Sequence, residues 1–223
     1  MIVRETKLPG VLVIEPRVFE DDRGWFMETY HAPQLAAAGL EIEFVQDNHS
    51  LSRLGVLRGL HFQIEHPQGK LVRVVRGEIY DVAVDLRRNS PTFRQWLGMR
   101  IGADDRRQMY LPPGFAHGFL TLSDTAEVLY KCTDVYHPEH ERTLLWNDPV
   151  LGIDWPLAGP PRVSEKDQRG FRLVEAECFE DALNLSPRPA PVLQAPHWAV
   201  KKLGLQGHAP DPGFDPNRST AAR

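Results

Sequence analysis

Short apolar runs separated by turn signals constrain the fold of this chain more than any other feature of the sequence. Runs such as GVLVIEPRVF, IEFVQDN, KLVRVV, EIYDVAVDL and GFAHGFLTL alternate with turn-forming segments such as EHPQG, RRNSPT and SDTA. Runs rich in β-branched and aromatic residues, bounded by Gly, Pro, Asn or Asp, are typical of strands. Since no strand–helix–strand alternation separates them, the pattern favours an antiparallel β-sandwich or barrel over a doubly wound parallel sheet.

Helical patterns are few and short. The segment 32–40, APQLAAAGL, begins near a proline suited to a first helical turn and reaches Gly39 near its end. The segment 167–183 has helix-like charge spacing, which Gly170 weakens. The composition then changes, since the last 38 residues hold seven of the 19 prolines. We predict an all-β domain over 1–185 with a few short peripheral helices, followed by a Pro-rich extension over 186–223.

The composition also limits the class of protein. The net charge of −4 gives no overall basic surface for nucleic acid, so an anionic ligand must be met by local arginine and lysine. No stretch approaches 18 uninterrupted apolar residues, and the charged start MIVRETKLPG is unlike a signal peptide. Cys132 and Cys178 do not make a disulfide scaffold. These features predict a cytoplasmic protein with two free thiols and no membrane or nucleic-acid partner.

Polar residues occur where the predicted strands should fill a core. Because side chains alternate along a strand, one inward face can collect His61, Lys70, Asp81, His117 and Tyr130. Each of these alone is more often a packing or hydrogen-bonded residue than a catalyst. Burying all five on one interior face is costly unless they are paired or used. The pattern therefore predicts a cleft inside the sandwich that binds an anionic sugar and moves a proton on it.

The same alternation makes a specific prediction for the strand around His61. It places Leu57, Gly59 and Gln63 on the face of His61. Arg58 has the opposite parity, and joins His61 only if Gly59 forms a β-bulge or if Arg58 precedes the regular strand.

The stretch PPGFAH, residues 112–117, has a P-x-G-x-x-H pattern that resembles the second motif of the cupin superfamily. Many cupins bind iron, manganese or zinc through an H-x-H pair in their first motif, but here His61 is followed by Gln63. Two histidines without a suitably spaced third nitrogen or carboxylate make a poor transition-metal site. We therefore expect a cupin-like scaffold that uses side-chain acid–base chemistry, with no metal and no cofactor.

A set of sequence blocks carries a more specific resemblance. The chain resembles the dTDP-4-dehydrorhamnose 3,5-epimerase family over roughly residues 1–180. The blocks are, in order, DDRGWFME, FVQDNHS, GVLRGLHFQ, PQGKLVRVVRGEIYDVAVDLR, SPTF, PPGFAHGFLTLSDTAEVLYK, WNDP, GIDWP and SEKD. The resemblance implies a cupin-like jelly-roll β-sandwich, no metal or organic cofactor, and a homodimer whose N-terminal strands reach the partner's sheet. It also implies the epimerisation of dTDP-4-dehydro-6-deoxy-D-glucose at C3 and C5 to dTDP-4-dehydro-L-rhamnose through enolate intermediates.

The resemblance further implies roles for individual residues. His61 is expected to be the general base, Tyr130 the general acid, and Asp167 the partner that orients His61. Lys70 is expected near the C4 carbonyl. The remaining expected substrate-binding residues are Arg23, Glu28, Gln46, Asn48, Arg58, His117, Tyr136, Glu141 and Lys166. Arg23 and Glu28 are expected to contact the nucleotide from the neighbouring subunit, and Tyr136 to stack on the thymine ring.

Three alternatives stay open from the residues alone. A related enzyme would invert only C3 or only C5 of a dTDP-4-keto-6-deoxysugar, because pocket shape can block one reprotonation. A non-catalytic cupin-like sugar-binding module would not need an acid opposite the base. A metal-dependent cupin oxygenase or isomerase would contain a stoichiometric metal ion, which we do not expect.

Overall fold

The computed structural model describes residues 1–180 of the chain. The strands are β1 Ile2–Glu5, β2 Leu12–Glu15, β3 Val18–Asp21, β4 Gly24–Met27, β5 Gln46–Arg53, β6 Leu57–Gln63, β7 Lys70–Arg76, β8 Glu78–Asp85, β9 Trp96–Gly102, β10 Gln108–Leu111, β11 Phe115–Thr121, β12 Thr125–Cys132 and β13 Glu141–Thr143. The helices are α1 Ala32–Ala37 and α2 Glu165–Gln168. No helix in this part of the chain is long and apolar enough to cross a membrane. The predicted extension over 186–223 lies outside the described residues.

Two antiparallel sheets contain most of the strands. The six-stranded sheet has the order β1-β2-β10-β7-β12-β5, and the five-stranded sheet has the order β13-β6-β11-β8-β9. The strands β3 and β4 form a separate hairpin. The pairings within the sheets are antiparallel. The prediction of an all-β fold with a few short helices is confirmed.

Apolar side chains from both large sheets meet in one buried cluster, so the two sheets face each other as a sandwich. The cluster includes Val72, Val74, Met109 and Val128 from the six-stranded sheet and Ile79, Ala83, Phe115 and Phe119 from the five-stranded sheet. Burying one such large side chain stabilises the fold by about 1.5–3 kcal/mol. Because a slip of one residue would turn these side chains to the opposite face, their burial fixes the strand register.

The chain after β13 covers the outer face of the five-stranded sheet. Trp155 and Phe179 from this segment belong to a second buried cluster with Leu60 and Val82. Phe62 meets Phe179 edge to face, with ring centroids 6.0 Å apart. The same segment carries α2, which contacts β6. The covering segment thus delivers the residues of α2 to the strand that carries His61.

The helix predicted over 167–183 is wrong within the described residues, because α2 begins at Glu165 and ends at Gln168. A Cβ atom at Gly170 would lie 2.7 Å from backbone atoms of Leu144 and Leu145. Phe171 then pairs with Leu144 in an isolated bridge. Backbone pairing with a distant segment therefore replaces the helical hydrogen bonds that the charge spacing indicated. The last three residues of the predicted helix lie outside the described part.

Two predicted strands have different bounds in the structure. GVLVIEPRVF divides into β2 and β3 at Pro16, which has no N–H to donate to a ladder. In IEFVQDN only the last three residues belong to a strand, because β5 begins at Gln46. The residues before it include Ile42 and Phe44, which pack on a cluster that contains Leu35 of α1. The strands β1 and β13 were not predicted.

A β-bulge lies in β6 beside His61. The register of β6 against β11 shifts, so that Arg58 opposes Phe119 and His61 opposes His117. Leu57 consequently packs with the outer cluster, and the prediction that it shares the face of His61 is wrong. For Arg58 to share the face of His61, strand alternation required a bulge at Gly59, and this bulge is present. Gly59 has φ of +113°, and a Cβ there would lie 2.6 Å from Cα of Gly118, so only glycine fits.

Candidate active site

The interior face between the two sheets carries the polar residues that strand alternation predicted. Tyr130 packs against the buried cluster between the sheets. Lys70 lies two positions before Val72 on β7, and Asp81 lies two positions from Ile79 and from Ala83 on β8, so both share the face of this cluster. His117 and His61 are register partners on neighbouring strands, so their side chains point to the same face. The prediction that these five residues share an inward face is confirmed.

His61 and Asp167 form a close pair on the five-stranded side. Nε2 of His61 lies 2.6 Å from Oδ1 of Asp167, whose side chain is buried. The backbone N–H of Gly59 donates to Oδ2 of Asp167 at 3.2 Å. Burial alone would raise the pKa of Asp167, but the hydrogen bonds from His61 and Gly59 outweigh burial and lower it. An ionised Asp167 accepts a hydrogen bond from Nε2–H, which leaves Nδ1 of the neutral ring with its lone pair free.

His117 forms a second pair deeper in the interior. Its Nε2 lies 2.7 Å from Oδ1 of Asp81, and both side chains are buried. The other carboxylate oxygen of Asp81 is buried without a hydrogen-bond partner among residues 1–180. Interaction with Asp81 raises the pKa of Lys70, although burial has the larger effect and the net pKa of Lys70 is lowered. The carboxylate of Asp81 and the amine of Lys70, whose pKa is lowered, therefore lie in the same interior space.

Tyr130 faces this interior from the six-stranded sheet. Burial is the main cause that raises the pKa of its phenol, so the group keeps its proton at neutral pH. The charges of Arg58 and Glu141 act on the same phenol, and His61 lowers the pKa of Glu141. The tyrosine hydroxyl makes no hydrogen bond with a residue of the described part of the chain. A protonated phenol and an imidazole thus face one interior space from opposite sheets.

A cleft of about 440 Å³ opens beside His61. It is lined by Val56, Leu57, Arg58, His61, Arg162, Ser164, Lys166 and Asp167. Nε of Arg58 donates to Oγ of Ser52 at 2.9 Å, which holds the guanidinium between β6 and the edge strand β5. The cleft therefore combines an imidazole with three cationic side chains, Arg58, Arg162 and Lys166, that can meet an anionic substrate.

The strand β5 presents a polar face to the interior. Asn48 pairs in register with Tyr130, and Nε2 of Gln46 donates to Oδ1 of Asn48 at 3.1 Å. Oε1 of Gln46 accepts the backbone N–H of Tyr136 at 2.8 Å. The two predicted binding residues of β5 therefore lie beside the predicted acid.

Glu141, Tyr136 and Lys166 form a network beside these groups. Oε2 of Glu141 accepts the hydroxyl of Tyr136 at 2.8 Å and lies 2.7 Å from Nζ of Lys166. These hydrogen bonds lower the pKa of Glu141, although burial alone would raise it. The hydrogen bond to Glu141 is the main cause that raises the pKa of Tyr136 to about 12. The ring of Tyr136 stays half exposed and free to stack on a flat ligand.

Arg23 and Glu28 are not brought into this cleft. Arg23 lies in the turn of the β3–β4 hairpin, is 86% exposed and pairs with Asp21. Glu28 follows β4 and accepts a long hydrogen bond from Gln34 of α1. Within one chain, these two predicted nucleotide contacts are separate from the His61 cleft.

Several residues of the site were not singled out from the sequence. Ser164 caps α2 and accepts the backbone N–H of Asp167 at 3.1 Å. The S-x-x-D spacing of SEKD is a helix-start signal and would have indicated this cap. Cys132 accepts a weak hydrogen bond from Asn48 and affects the pKa of Lys70. Ser52 and Arg162 had no local signal, because their roles depend on how distant strands meet.

Gln63, which replaces the second histidine of the cupin H-x-H pair, has a structural role. Its Nε2 donates to the carbonyl oxygens of His66 and Val135, and its Oε1 accepts the N–H of His137. Within residues 1–180, one group of three His, Cys, Asp or Glu residues has ligand atoms close enough for a metal ion, namely His66, Asp134 and His137. None of these lines the cleft around His61.

Comparisons with known proteins agree with this architecture. A family model described as dTDP-4-dehydrorhamnose 3,5-epimerase matches residues 5–175. A Pseudomonas aeruginosa protein of that name is 58% identical over 173 residues, which cover 77% of this chain and 96% of the relative. The crystal structure of RmlC, dTDP-6-deoxy-D-glucose-3,5-epimerase from Legionella pneumophila in complex with dTDP-4-keto-L-rhamnose, is 44% identical. It superposes with a TM-score of 0.78 and covers 80% of this chain and 97% of that chain.

A further solved structure is similar at a lower identity. ChmJ, a 3'-monoepimerase from Streptomyces bikiniensis in complex with dTDP-quinovose, is 34% identical, with a TM-score of 0.72 over 76% of this chain and 86% of that chain. These likenesses confirm the expected cupin-like jelly-roll architecture. The family match over nearly all of the described residues and the identity to the Pseudomonas protein show that the chain belongs to the dTDP-4-dehydrorhamnose 3,5-epimerase family.

Proposed function

We propose that this chain converts dTDP-4-dehydro-6-deoxy-D-glucose to dTDP-4-dehydro-L-rhamnose by inverting C3 and C5. One observation carries the proposal, namely that the His61–Asp167 pair and the phenol of Tyr130 project into one interior from opposite sheets. Inversion of a carbon requires that a proton leaves one face and that another arrives at the opposite face. A base on one wall and an acid on the other meet that requirement.

His61 is the base in this proposal. The hydrogens on C3 and C5 flank the C4 ketone, so breaking either C–H bond sends its electron pair to the C4 oxygen as an enolate. Nδ1 of His61 takes the proton, and the ionised Asp167 on Nε2 stabilises the imidazolium that forms. A positioned base of this kind typically contributes about 10²–10⁴-fold to the rate.

Lys70 and Tyr130 complete the reaction. The ammonium of Lys70 stabilises the charge on the enolate oxygen by a charge-assisted hydrogen bond. The Tyr130 O–H bond then breaks as a new C–H bond forms on the opposite face of the sugar ring. Exchange with solvent returns a proton to the phenolate and removes one from the imidazolium. The raised pKa of Tyr130 supports its role, because the phenol still carries its proton when the enolate forms.

The remaining predicted residues bind the substrate in this proposal. Arg58, His117, Gln46 and Asn48 hold the sugar, and their positions around the interior support this. Lys166 and Glu141 bind the substrate near its diphosphate, and Tyr136 stacks on the thymine ring. The half-exposed ring of Tyr136 supports that last role. The reaction as written requires no metal and no organic cofactor.

We also propose a homodimer with exchanged N-terminal strands. The β3–β4 hairpin exposes Phe19, Trp25 and Phe26, which are 47%, 55% and 64% exposed. A partner surface would bury such a group of aromatic rings. Arg23 and Glu28 of the hairpin would then reach the nucleotide site of the partner, which accounts for their separation from the cleft in one chain. Analytical ultracentrifugation tests this, because a monomer at assay concentration would contradict it.

The domain bounds and the location of the protein belong to the same proposal. We assign residues 1–185 to the epimerase domain and residues 186–223 to an extension, which the end of the family match at residue 175 supports. We place the protein in the cytoplasm, which the free state of Cys132 and Cys178 supports.

Deuterium incorporation tests the proposed reaction directly. The full chain is incubated with dTDP-4-dehydro-6-deoxy-D-glucose in heavy water, and NMR follows the sugar protons. The proposal expects deuterium at both C3 and C5 and the formation of dTDP-4-dehydro-L-rhamnose. Binding without any exchange would instead identify a sugar-binding module, and would overturn the assignment.

A mono-epimerase is the second candidate function, because the chain is similar to ChmJ, which is a 3'-monoepimerase. The identity to ChmJ is 34%, whereas curated relatives named dTDP-4-dehydrorhamnose 3,5-epimerase are 42–58% identical. Inversion at C3 with an unchanged C5 configuration in the same experiment would support the mono-epimerase.

A further inference from the structure

Three histidines outside the cleft lie against one another where two loops meet. His66 is in the loop between β6 and β7, and His137 and His140 are in the loop between β12 and β13. The rings of His66 and His137 stack with centroids 4.3 Å apart, and the ring of His140 lies 5.7 Å and 5.9 Å from them. Imidazole nitrogens are ligands that transition metals prefer, so a cluster of three rings can contribute to a metal site.

Asp134 completes a set of metal-ligating groups. Nδ1 of His66 lies 3.4 Å from Oδ2 of Asp134, and ligand atoms of His66, Asp134 and His137 all lie within 4.8 Å of one another. Zinc bonds to nitrogen and oxygen of about 2.0–2.2 Å place the ligand atoms of a tetrahedral site roughly 3.3–3.6 Å apart. The His66–Asp134 spacing already fits, and the side chain of His137 must rotate to bring its ring nitrogen to the same spacing. Oδ1 of Asp134 accepts the N–H of Val135, which leaves Oδ2 for an ion.

The backbone of both loops is fixed before any ion binds. Gln63 donates to the carbonyl oxygen of His66 at 2.7 Å and accepts the N–H of His137 at 2.8 Å. Gln68 donates to the carbonyl oxygen of Asp134 at 2.9 Å. Binding therefore needs little ordering of the main chain, and mainly side-chain rotations are required.

The electrostatic surroundings and the exposure of the cluster both suit a cation. Nδ1 of His137 lies 3.5 Å from Oε1 of Glu139, and Nε2 of His140 lies 3.7 Å from Oε2 of Glu65. These carboxylates add negative charge around the three rings. The side chains of His66, Asp134 and His137 are 38%, 30% and 28% exposed, so an ion from solvent can reach them.

We propose that His66, Asp134 and His137 bind a divalent transition-metal ion of the zinc class, with open positions for His140 and water. The ion clamps the β6–β7 loop to the β12–β13 loop, which carries Tyr136. None of the three ligands lines the cleft around His61, so the ion stabilises loops and takes no part in proton transfer. A protein free of metal was expected from the sequence, and this site departs from that expectation while leaving the cleft without a metal. The proposal does not depend on the proposed function.

Zinc titration of the full chain tests the site. The protein is treated with a chelator, dialysed at neutral pH and titrated with Zn²⁺ by calorimetry, and Co²⁺ absorption reports the ligand geometry. The test variants are His66→Gln and His137→Gln. The matched control is His49→Gln, because His49 is an exposed histidine of β5 whose ring pairs with the carboxylate of Glu127, as the cluster histidines pair with carboxylates. Circular dichroism checks that each variant is folded.

We expect the wild-type chain and His49→Gln to bind zinc with equal affinity and to show a higher melting temperature when zinc is added. Each test variant is expected to bind zinc at least about tenfold more weakly and to lose that thermal shift. The proposal is overturned if wild-type protein binds no zinc at millimolar concentration. It is also overturned if both test variants bind zinc as tightly as the control, because the ion would then lie elsewhere.

Discussion

Nε2 of His61 on β6 lies 2.6 Å from Oδ1 of Asp167 on α2, although the two residues are 106 positions apart in the chain. The second carboxylate oxygen of Asp167 is held by the N–H of Gly59, so the carboxylate has a fixed orientation. It selects the tautomer of His61 that keeps Nδ1 basic. In the proposed reaction, proton abstraction by His61 depends on a residue that reaches the site only because the chain returns over the outer face of the sheet.

The substitution Asp167→Asn tests that dependence. The amide keeps the shape of the side chain but cannot stabilise an imidazolium and favours the wrong ring tautomer. We expect kcat to fall by about 10²–10⁴-fold with a much smaller change in KM, measured by NMR of product formation. The matched control is Glu165→Gln on the same helix, whose side chain is 88% exposed and which should keep wild-type turnover. Equal losses in both variants would mean that disruption of α2, rather than loss of the carboxylate, explains the result.

The stability of the protein should also depend on Asp167 at acid pH. The pKa of Asp167 is lower in the folded chain than in the unfolded chain. Its contribution is therefore present above the unfolded pKa and is lost as the pH falls through the folded pKa. We expect the free energy of unfolding of the wild type to decrease more steeply on acidification than that of Asp167→Asn. Urea denaturation at a series of acidic pH values measures this difference, and parallel curves would contradict the pKa assignment.

Tyr130→Phe separates proton removal from inversion. The variant keeps the base but lacks the proton donor on the opposite wall, so His61 can return solvent deuterium only to the face it deprotonated. We expect product formation to fall by about 10²–10⁴-fold while exchange of the sugar protons with heavy water persists. Tyr80→Phe serves as the control, because Tyr80 packs on Trp155 at the outer face of the sheet. Rapid inversion by Tyr130→Phe would show that another group is the acid.

The sequence predicts the interior face because strand alternation is a local property. His61, Lys70, Asp81, His117 and Tyr130 each lie in a strand whose apolar neighbours specify which side is buried. The sheet register then needs only the correct burial of those neighbours. The error at Leu57 arose because one bulge changes parity, and the need for that bulge was visible only through Arg58.

Contacts between distant segments were harder to predict. Nothing near Arg58 in the sequence indicates that Ser52 will hold its guanidinium, and nothing near Gln63 indicates that it ties two loops together. The helix predicted from residue 167 onwards failed for the same reason, since pairing of Phe171 with Leu144 is a tertiary interaction. Propensity gives a weak preference that such pairing overrides.

The substitution Lys70→Met should lower the turnover and raise the stability of the protein. Burial lowers the pKa of Lys70 from its usual value of 10.5, so the folded state binds this proton less tightly than the unfolded state. Stability therefore rises as the pH increases from the folded pKa to the unfolded pKa. Methionine removes the cost of enclosing the charge, and we expect the free energy of unfolding at neutral pH to increase by about 1 kcal/mol. Turnover should fall by at least about 10²-fold because the enolate loses its cation.

The control for Lys70→Met is Lys7→Met, which removes an exposed lysine. It should leave both turnover and the alkaline dependence of stability unchanged. If Lys70→Met lowered stability, the ammonium would have to be well compensated in the folded state, and its lowered pKa would be wrong.

Gly59→Ala tests whether the bulge in β6 positions the His61–Asp167 pair. A methyl group there would lie 2.6 Å from Cα of Gly118 and 2.7 Å from the carbonyl oxygen of His117, and neither backbone atom can move freely. Gly39→Ala is the matched control, because Gly39 also has a positive φ of +85° but has no atom within 4 Å of the added methyl group. We expect the control to cost about 1 kcal/mol of stability and to keep full activity. Gly59→Ala should cost more than about 2 kcal/mol, measured by urea denaturation, and should abolish turnover in the fraction that folds. Equal stability of the two variants would show that the strand accommodates a side chain at the bulge, and that Asp167 and His61 do not need this glycine to meet.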